Sequence, residues 1–187
     1  MIKTIKKVCI MGGGNGAFAA AADLTMRGFD VILYESPAFA ANIADIQKDG
    51  VIHAEGVGPV GAAKLYKVTT DIEEALAEAD IIMPVSPAYA QETVAKSLVP
   101  FIRDGMVICL TPGSCGGGLV YGKIFYEAGV FDKVKLCEMS TLPYATRKVN
   151  GNTVRILLRD PILWFAAFPA KYNQELYELV RQLYPEI

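Results

Sequence analysis

The chain has 187 residues, 52% of them hydrophobic and 20% charged, which is enough apolar content for a sizeable core and excludes a disordered chain. The net charge is −2 and no block of Lys or Arg forms a basic face, so we do not expect a nucleic-acid partner. We do not expect a membrane protein either, because no apolar run reaches transmembrane length and no signal peptide precedes the first strand.

The four cysteines, Cys9, Cys109, Cys115 and Cys137, lack the spacing of a metal site. Cys9 and Cys109 fall within apolar runs, where a reduced cysteine packs as a small hydrophobic residue. We therefore predict no metal site and a reducing, cytoplasmic location.

The first motif lies within residues 7–35, which read as strand, glycine turn, helix and strand. Gly12-x-Gly14-x-x-Ala17 fits the dinucleotide-binding fingerprint. Gly12 would make the tight turn out of the strand, and Gly14 would let the backbone approach a pyrophosphate. Ala17 would allow the helix to pack closely on the sheet, and the free N–H groups at the helix N-terminus would face the phosphates.

Glu35 ends the second strand, about 20 residues after the turn, where a carboxylate can accept hydrogen bonds from an adenosine ribose. The same charge would repel the 2′-phosphate of NADP. The sequence therefore predicts NAD(H) as cofactor in preference to NADP(H).

Helices and strands alternate along the rest of the chain. A helix is predicted for residues 36–48, and glycines within 51–67 indicate a small hairpin or two short strands. The remaining predictions are a turn and short helix for 68–79, a strand for 80–85, a helix for 89–101, a strand for 106–110, a helix for 119–128 and a strand for 134–139. Pro84 cannot donate to a central ladder, so pairing would end at Met83 or the strand would bulge. An Asn-Gly turn then indicates a hairpin within residues 147–156, and an amphipathic helix is predicted for 170–183.

This order predicts an α/β fold, with a Rossmann-type, doubly wound and mostly parallel sheet followed by a C-terminal hairpin and helix. We predict a single dinucleotide-binding domain over residues 1–187. Ligands of such sheets bind at the carboxyl ends of the strands. Three loops that follow strands should therefore carry function: residues 12–17, 86–88 and 111–118.

Five segments together resemble the N-terminal domain of the octopine/nopaline (opine) dehydrogenase family. They read GGGNGA, HAEGVG, DIIMPVSPA, TPGSCGGGL and CEMSTLPYATR. The resemblance implies an NAD(P)H-dependent reductive condensation of a 2-oxo acid with an amino acid. The oxo acid and the amine form an imine, which hydride from the nicotinamide reduces to a secondary amine.

The resemblance also implies roles for individual residues. The pyrophosphate turn is matched by Gly12, Gly14, Asn15, Gly16 and Ala17, the ribose-binding acid by Glu35, the loop under the nicotinamide half of the cofactor by Ser86, Pro87 and Ala88, and the loop beside the nicotinamide and oxo acid by Pro112, Gly113 and Gly116. Thr141 would lie near the oxo acid, with a simple strand-end threonine as the alternative. For Glu138 and Arg147, a structural ion pair is at least as good an interpretation as a substrate contact.

The chain departs from the family in one respect. Family enzymes carry a C-terminal, mostly helical domain that supplies a catalytic histidine, whereas the only histidine here, His53, falls in the HAEG piece. We therefore expect no catalytic residue in this chain and a helical domain or partner subunit to supply one. An apolar face around Trp164, Phe165 and Phe168 should dock that domain, a partner chain or a second copy of this chain.

Two other functions fit the same residues. The chain could be a stand-alone NADH-binding module or partner subunit without catalysis of its own. It could also be a different reductase on the same scaffold, similar to ketopantoate reductase or phosphogluconate dehydrogenase. The HAEG and TPGSCGG pieces favour the opine family over these reductases.

Overall fold

A computed structural model of the chain describes residues 3–114 and 116–187. Cys115, one of the four cysteines considered above, lies outside these ranges. The strands are β1 (Lys7–Met11), β2 (Asp30–Tyr34), β3 (Val51–Gly56), β4 (Gly61–Lys64), β5 (Lys67–Thr69), β6 (Ile81–Pro84), β7 (Met106–Leu110), β8 (Val134–Met139), β9 (Tyr144–Lys148), β10 (Thr153–Arg159) and β11 (Phe165–Phe168). The α-helices are α1 (Asn15–Met26), α2 (Ala44–Gln47), α3 (Ile72–Ala77), α4 (Gln91–Leu98), α5 (Gly117–Glu127) and α6 (Asn173–Val180).

The main sheet has seven strands in the order β11-β8-β7-β6-β1-β2-β5. All neighbours are parallel except β11, which runs antiparallel to β8 at one edge. Strand β1 pairs with β2 on one side and β6 on the other, so the strand order reverses there. This arrangement confirms the predicted Rossmann-type fold, and it puts the switch point beside the glycine turn.

The second sheet has four strands in the order β4-β3-β10-β9. It joins two antiparallel hairpins, β3–β4 and β9–β10, through a parallel pairing of β3 with β10. The second hairpin follows in the sequence from Asn150-Gly151, and the first was one of two alternatives that the glycines within residues 51–67 indicated. Their union into one sheet does not follow, because it pairs segments about 100 residues apart in the chain.

Helix α1 lies between the two sheets. It contacts β1 and β2 on one side and β3, β4, β9 and β10 on the other. Every residue from Gly16 to Leu24 is buried, and four consecutive alanines, 19–22, lie within this stretch. The small side chains of these alanines let both sheets approach the middle of one helix. A second core, on the opposite face of the main sheet, lies under α3, α4 and α5.

One charge is buried inside α1. Asp23 is 1% exposed, and its Oδ2 accepts a hydrogen bond from the Tyr144 hydroxyl (2.7 Å) and lies 3.1 Å from an Arg27 Nη2. Arg159 of β10 is 3.8 Å away, and it also pairs with Glu186 near the C-terminus (2.7 Å). Burial raises the pKa of Tyr144, which keeps its hydroxyl protonated as the donor. This network ties α1 to the second sheet and to the end of the chain.

Four local predictions differ from the structure. The predicted helix over 36–48 is a 3₁₀ helix (Pro37–Asn42) followed by α2. Residues Lys67–Thr69 form the edge strand β5 and not a turn. Pairing in β6 extends through Pro84, which is opposite Met11 at the last ladder position, where a missing N–H costs least. The segment Phe165–Phe168, expected only as an apolar face, is a strand.

None of the helices in the described ranges has the length and hydropathy needed to span a bilayer.

We expect the Tyr144→Phe variant to be less stable by about 1.5–3 kcal/mol, because it removes a buried hydrogen bond to a charged acceptor. The free energy of unfolding from urea titration measures this. Tyr126→Phe is the matched control, since that hydroxyl is on an exposed helix face, and it should change stability by less than about 0.5 kcal/mol. Equal unfolding midpoints for the two variants would contradict the assigned role of the Asp23 network.

Candidate functional site

Two cavities open at the carboxyl edge of the main sheet. The larger, about 380 Å³, lies between the glycine turn, the end of β2 and the segment that follows β6. The smaller, about 210 Å³, lies between the loop after β7, the end of β8 and the start of β11. The first two predicted loops therefore meet in one cavity, and the third lines the other.

The first residue of the turn, Gly12, must be glycine because of its backbone geometry. Gly12 has a φ of +131°, which side-chain-bearing residues rarely adopt, and its N–H donates to the Tyr34 carbonyl (2.7 Å). A Cβ at this position would stand 2.7 Å from the Val85 carbonyl oxygen. Glycine is therefore required here by the meeting of β1, β2 and β6, with or without a ligand.

Gly14 differs from Gly12, because its backbone dihedral angles are open to any residue and the space beside it is empty of protein atoms. Its φ is −83°, and a Cβ there would meet no described heavy atom within 4 Å. The first backbone bond of α1 runs from Phe18 N to Gly14 O (3.1 Å), so the N–H groups of Asn15, Gly16 and Ala17 precede the helical ladder. An open backbone position beside free N–H groups is a cradle for an anion.

The next residues of the turn serve packing. A Cβ on Gly16 would stand 2.8 Å from the Leu142 side chain, so glycine permits that contact. The Asn15 side-chain oxygen accepts a hydrogen bond from the Lys148 backbone N–H (2.7 Å). It thereby fastens the end of β9 to the start of α1. The Asn15 side chain is thus engaged within the protein, and its backbone N–H stays free together with those of Gly16 and Ala17.

Glu35 is held in one position beside the turn. It is 8% exposed, and its two oxygens accept from the Ser36 backbone N–H (2.8 Å) and the Asn42 side-chain amide (3.0 Å). A Cβ on Gly13 would stand 2.8 Å from Glu35 Oε2, so the turn packs directly on the carboxylate. A carboxylate has about four acceptor positions, which leaves lone pairs for a ligand in the cavity that it lines.

Lys148, the last residue of β9, contacts the glycine turn, and the sequence did not indicate this contact. Its ammonium donates to the carbonyls of Asn42 (2.8 Å) and Gly13 (3.4 Å). Burial lowers the pKa of Lys148, and the nearby carboxylates of Asp45 and Glu35 oppose that shift. The interaction depends on the long-range docking of β9, so no local signal marks it.

The walls of the larger cavity carry two exposed aromatic rings. Phe39 follows the end of β2, and Tyr89 lies in the segment after β6. Ser86 and Pro87 also line the cavity, whereas Ala88 does not. The rings offer flat apolar surfaces for a planar group. Both residues fall within segments predicted as helices, 36–48 and 89–101, so no signal in the sequence marked them as cavity-lining residues.

The third loop surrounds the smaller cavity. Gly113 and Gly116 line it, and Pro112 precedes them with its carbonyl 3.5 Å from the buried amide of Gln91. Gly113 donates its N–H to Met139 O (2.9 Å) and packs so closely on Glu138 that a Cβ would clash. Gly116 has a φ of +82° and precedes α5.

Three other residues lie outside both cavities. Thr141 is half-buried, with its hydroxyl 3.5 Å from the Leu142 carbonyl oxygen. Arg147 is exposed and donates to the Thr146 carbonyl (2.8 Å). Glu138, by contrast, lines the smaller cavity. Neither Arg147 nor Glu138 forms an ion pair with any other described residue. His53 is exposed on β3 in the second sheet.

The described part of the chain contains no cluster of three or more His, Cys, Asp or Glu residues that could hold a metal ion. What the larger cavity offers is an anion cradle, a fixed carboxylate and aromatic walls, which are the contacts that a dinucleotide needs.

Comparison with known proteins gives matches to opine and octopine dehydrogenases over most of this chain. An opine dehydrogenase of Arthrobacter sp. (strain 1C) is 32% identical over 181 residues, which cover 97% of this chain and 50% of that enzyme. The octopine dehydrogenase of Pecten maximus is 26% identical over 165 residues, or 84% of this chain and 41% of that enzyme. The chain thus spans about half the length of the curated relatives it matches. No family model matches it.

Solved structures agree on the fold. Octopine dehydrogenase in complex with NADH and agmatine has a TM-score of 0.73 at 25% identity, over 87% of this chain and 42% of that one. A protein of Bacillus subtilis described as a probable 2-dehydropantoate 2-reductase has a TM-score of 0.65 at 16% identity, over 96% of this chain and 54% of that one. The fold alone therefore does not separate the two kinds of reductase, but the sequence matches do. By sequence over almost all of its length, and by fold, the chain belongs to the opine dehydrogenase family and corresponds to the N-terminal, NAD-binding part of its members.

Proposed function

We propose that the chain binds NAD(H) in the larger cavity and supplies the cofactor-binding domain, residues 1–187, of an opine dehydrogenase. The complete enzyme would condense a 2-oxo acid with an amino acid and reduce the resulting imine with hydride from the nicotinamide. The observation that carries the proposal is the open backbone of Gly14 beside the free N–H groups of α1, with the fixed Glu35 carboxylate lining the same cavity.

Each part of the cofactor has a matching surface. The backbone N–H groups of Asn15, Gly16 and Ala17 would face the pyrophosphate, which Gly14 lets approach. Glu35 would accept hydrogen bonds from the adenosine ribose. Phe39 and Tyr89 would pack on the adenine, since aromatic rings stack on flat π systems. Gly12 would act indirectly, by shaping the turn.

The nicotinamide half would extend from Ser86, Pro87 and Ala88 toward Pro112, Gly113 and Gly116. These loops follow β6 and β7, neighbouring strands whose carboxyl ends share one edge of the sheet. Gln91 connects the loops, because its buried amide reaches the Pro112 carbonyl. Thr141, on the loop after β8, is the proposed contact for the oxo acid.

The acid–base group is proposed to come from outside this chain. Imine formation and reduction require proton transfers near neutral pH, for which histidine is suited. His53 lines neither cavity. We propose that a C-terminal helical domain or a partner subunit supplies the histidine and covers the exposed face that includes Trp164 (76% exposed) and Phe168 (36% exposed). A second copy of this chain is the alternative occupant of that face.

Because His53 lines neither cavity, a second candidate function is a module that binds NADH without catalysis. We further propose a cytoplasmic, reducing location. It is supported by Cys9, Cys109 and Cys137, which are buried with free thiols. Burial raises the pKa of Cys9 to about 12, so its thiol stays protonated and unreactive.

We expect NADH to bind at least about tenfold more tightly than NADPH, because the Glu35 charge repels a 2′-phosphate. Fluorescence titration with both cofactors measures the ratio. Glu35→Gln should reduce the preference for NADH over NADPH, since the amide keeps the size of the side chain but not its charge. Glu127→Gln, on the exposed face of α5, is the control and should leave the ratio unchanged. Equal affinities in the unmodified chain would show that Glu35 does not face the ribose.

We expect Gly14→Val to abolish NADH binding and leave the fold intact, because its branched side chain would occupy open space in the anion cradle. Circular dichroism melting and NADH titration together check this. Gly16→Val should instead lower the melting temperature, through its clash with Leu142. Ala145→Val places the same branched side chain on an exposed part of β9 and should change neither property. Wild-type affinity in a folded Gly14→Val variant would remove the basis of the site.

We expect the 187-residue chain to bind NADH without turnover, because it lacks an acid–base group at the cleft and a cover that excludes water and aligns the substrates. NADH oxidation with pyruvate and a panel of amino acids measures this, first for the chain alone and then with a helical partner domain added. Substantial oxidation by the chain alone that is lost in His53→Ala would show that His53 is catalytic and that the complete site is present.

A further inference from the structure

Lys148 contacts both chain neighbours of Gly14. Its backbone N–H donates to the Asn15 side-chain oxygen (2.7 Å), and its ammonium donates to the Gly13 carbonyl (3.4 Å). Gly14, whose open surroundings carry the proposed function, lies between these two contacts. A single residue of the second sheet therefore holds the glycine turn of the main sheet at two points.

The contact with Gly13 also orients the N–H of Gly14. Both groups belong to one peptide unit, which is trans, because the cis bonds in the described ranges are those that precede Pro112 and Pro169. A planar trans peptide directs its C=O and its N–H to opposite sides. An ammonium that holds the Gly13 carbonyl therefore aims the Gly14 N–H away from Lys148, and no described backbone carbonyl accepts from that N–H. The cation also polarises the peptide, which makes the N–H a stronger donor.

The same ammonium fixes the carboxylate beside the turn. The shorter of its two contacts is with the Asn42 carbonyl (2.8 Å), and the Asn42 side-chain amide donates to Glu35 (3.0 Å). The backbone of Gly13 packs against both residues, since a Cβ there would stand 2.7 Å from Asn42 Cβ and 2.8 Å from Glu35 Oε2. The anion cradle and the proposed ribose contact thus depend on one side chain.

The surroundings of Lys148 keep its ammonium in place and make its charge easier to remove. The ammonium lies 3.7 Å from the centre of the buried Phe18 ring of α1, which is a cation–π contact. Among the described residues, the charges that act on it are the carboxylates of Asp45 in α2 and Glu35 after β2, and its partner in β10 is the apolar Val154. Burial outweighs both carboxylates and lowers the pKa of Lys148.

We propose that Lys148 is a positioning residue for the cofactor, whose ammonium holds the glycine turn and the Glu35 carboxylate in the arrangement that binds NADH. This inference rests on the proposed function, because it names a further residue on which that same site depends. Lys148 lines neither cavity, so it acts through Gly13 and Asn42 and not by touching the ligand. Loss of its proton would weaken both contacts, because a neutral amine is a poorer donor than an ammonium.

NADH affinity should therefore fall as the pH rises. The protonated form of Lys148 holds the turn, so cofactor binding favours protonation, and affinity is lost as the pH rises through the pKa that Lys148 has in the free chain. That pKa lies below the usual value of a lysine. Fluorescence titration of the 187-residue chain with NADH, in steps from about pH 7 to about pH 10.5, measures the decline.

Substitutions of Lys148 separate the charge from the packing. Lys148→Met keeps an unbranched side chain beside Phe18 without the ammonium, and it should weaken NADH binding at least about tenfold near pH 7. The affinities of this variant and of the unmodified chain should converge as the pH rises. Lys148→Arg keeps a charge that does not titrate in this range, so it should bind NADH more tightly than Lys148→Met and lose less affinity at high pH than the unmodified chain. Lys123→Met, which removes an exposed charge from α5, is the control and should match the unmodified chain at every pH.

The Gly13 carbonyl offers a measurement that needs no cofactor. Its ¹³C resonance, followed by carbon-detected NMR, should move with pH in the unmodified chain as Lys148 loses its proton. In Lys148→Met the same resonance should be insensitive to pH over that interval. If Lys148→Met does not fold, the pH series on the unmodified chain and on Lys148→Arg still tests the proposal, since equal declines in these two would overturn it.

A folded Lys148→Met variant with the NADH affinity of the unmodified chain near pH 7 would also overturn the proposal. So would a difference in affinity that stays constant to high pH, because that result marks a purely structural role. In both cases NADH binding by the unmodified chain leaves the proposed function standing. If the unmodified chain binds no NADH, the proposed function fails, whereas a Gly13 carbonyl that titrates only when Lys148 is present would still support the assignment of Lys148 to the turn.

Discussion

The fold depends on one helix that must pack on two sheets at once. Helix α1 has β1 and β2 on one side and all four strands of the second sheet on the other, so the side chains in the middle of the helix must be small. The alanines at 19–22 meet this requirement. A helix without an exposed face has no solvated side for a charge, and Asp23 is accommodated only because Tyr144, Arg27 and Arg159 surround it. Burying a carboxylate is costly unless its partners are in place, so the network also fixes how the C-terminal elements dock.

The position of α1 fixes the glycine turn at its N-terminus. Asn15 and Lys148 fasten that end of the helix to β9, and the Lys148 ammonium reaches the carbonyl of Gly13. The glycines of the turn therefore serve different purposes. Gly12 and Gly16 satisfy packing inside the protein, and only Gly14 leaves space unused by it. A fingerprint that reads as one motif in the sequence combines structural and ligand-facing positions, and the distances around each missing Cβ distinguish them.

The sequence predicted what local physics determines. Strand and helix order and the β9–β10 hairpin follow from apolar runs and turn residues within a few positions. It did not predict the joining of the hairpins, the short strand β5, or the contacts of Lys148 and Glu138. Each of these depends on segments far apart in the chain, whose pairing is decided by packing and by no local preference. For the site, the turn and Glu35 were foreseeable, whereas the division of the three loops between two cavities was not.

The two cavities show why a strand, a glycine turn and a helix do not by themselves specify a ligand. The unit occurs twice at the same sheet edge, once as β1 and α1 and again as β7 and α5. At α1 the first N–H groups precede the helical ladder beside the open Gly14, which suits an anion. At α5 the Glu138 carboxylate from β8 accepts from Gly118 and brings a negative charge of its own. One side chain from a neighbouring strand thus reverses the charge that the second unit favours, although both units follow the same backbone pattern.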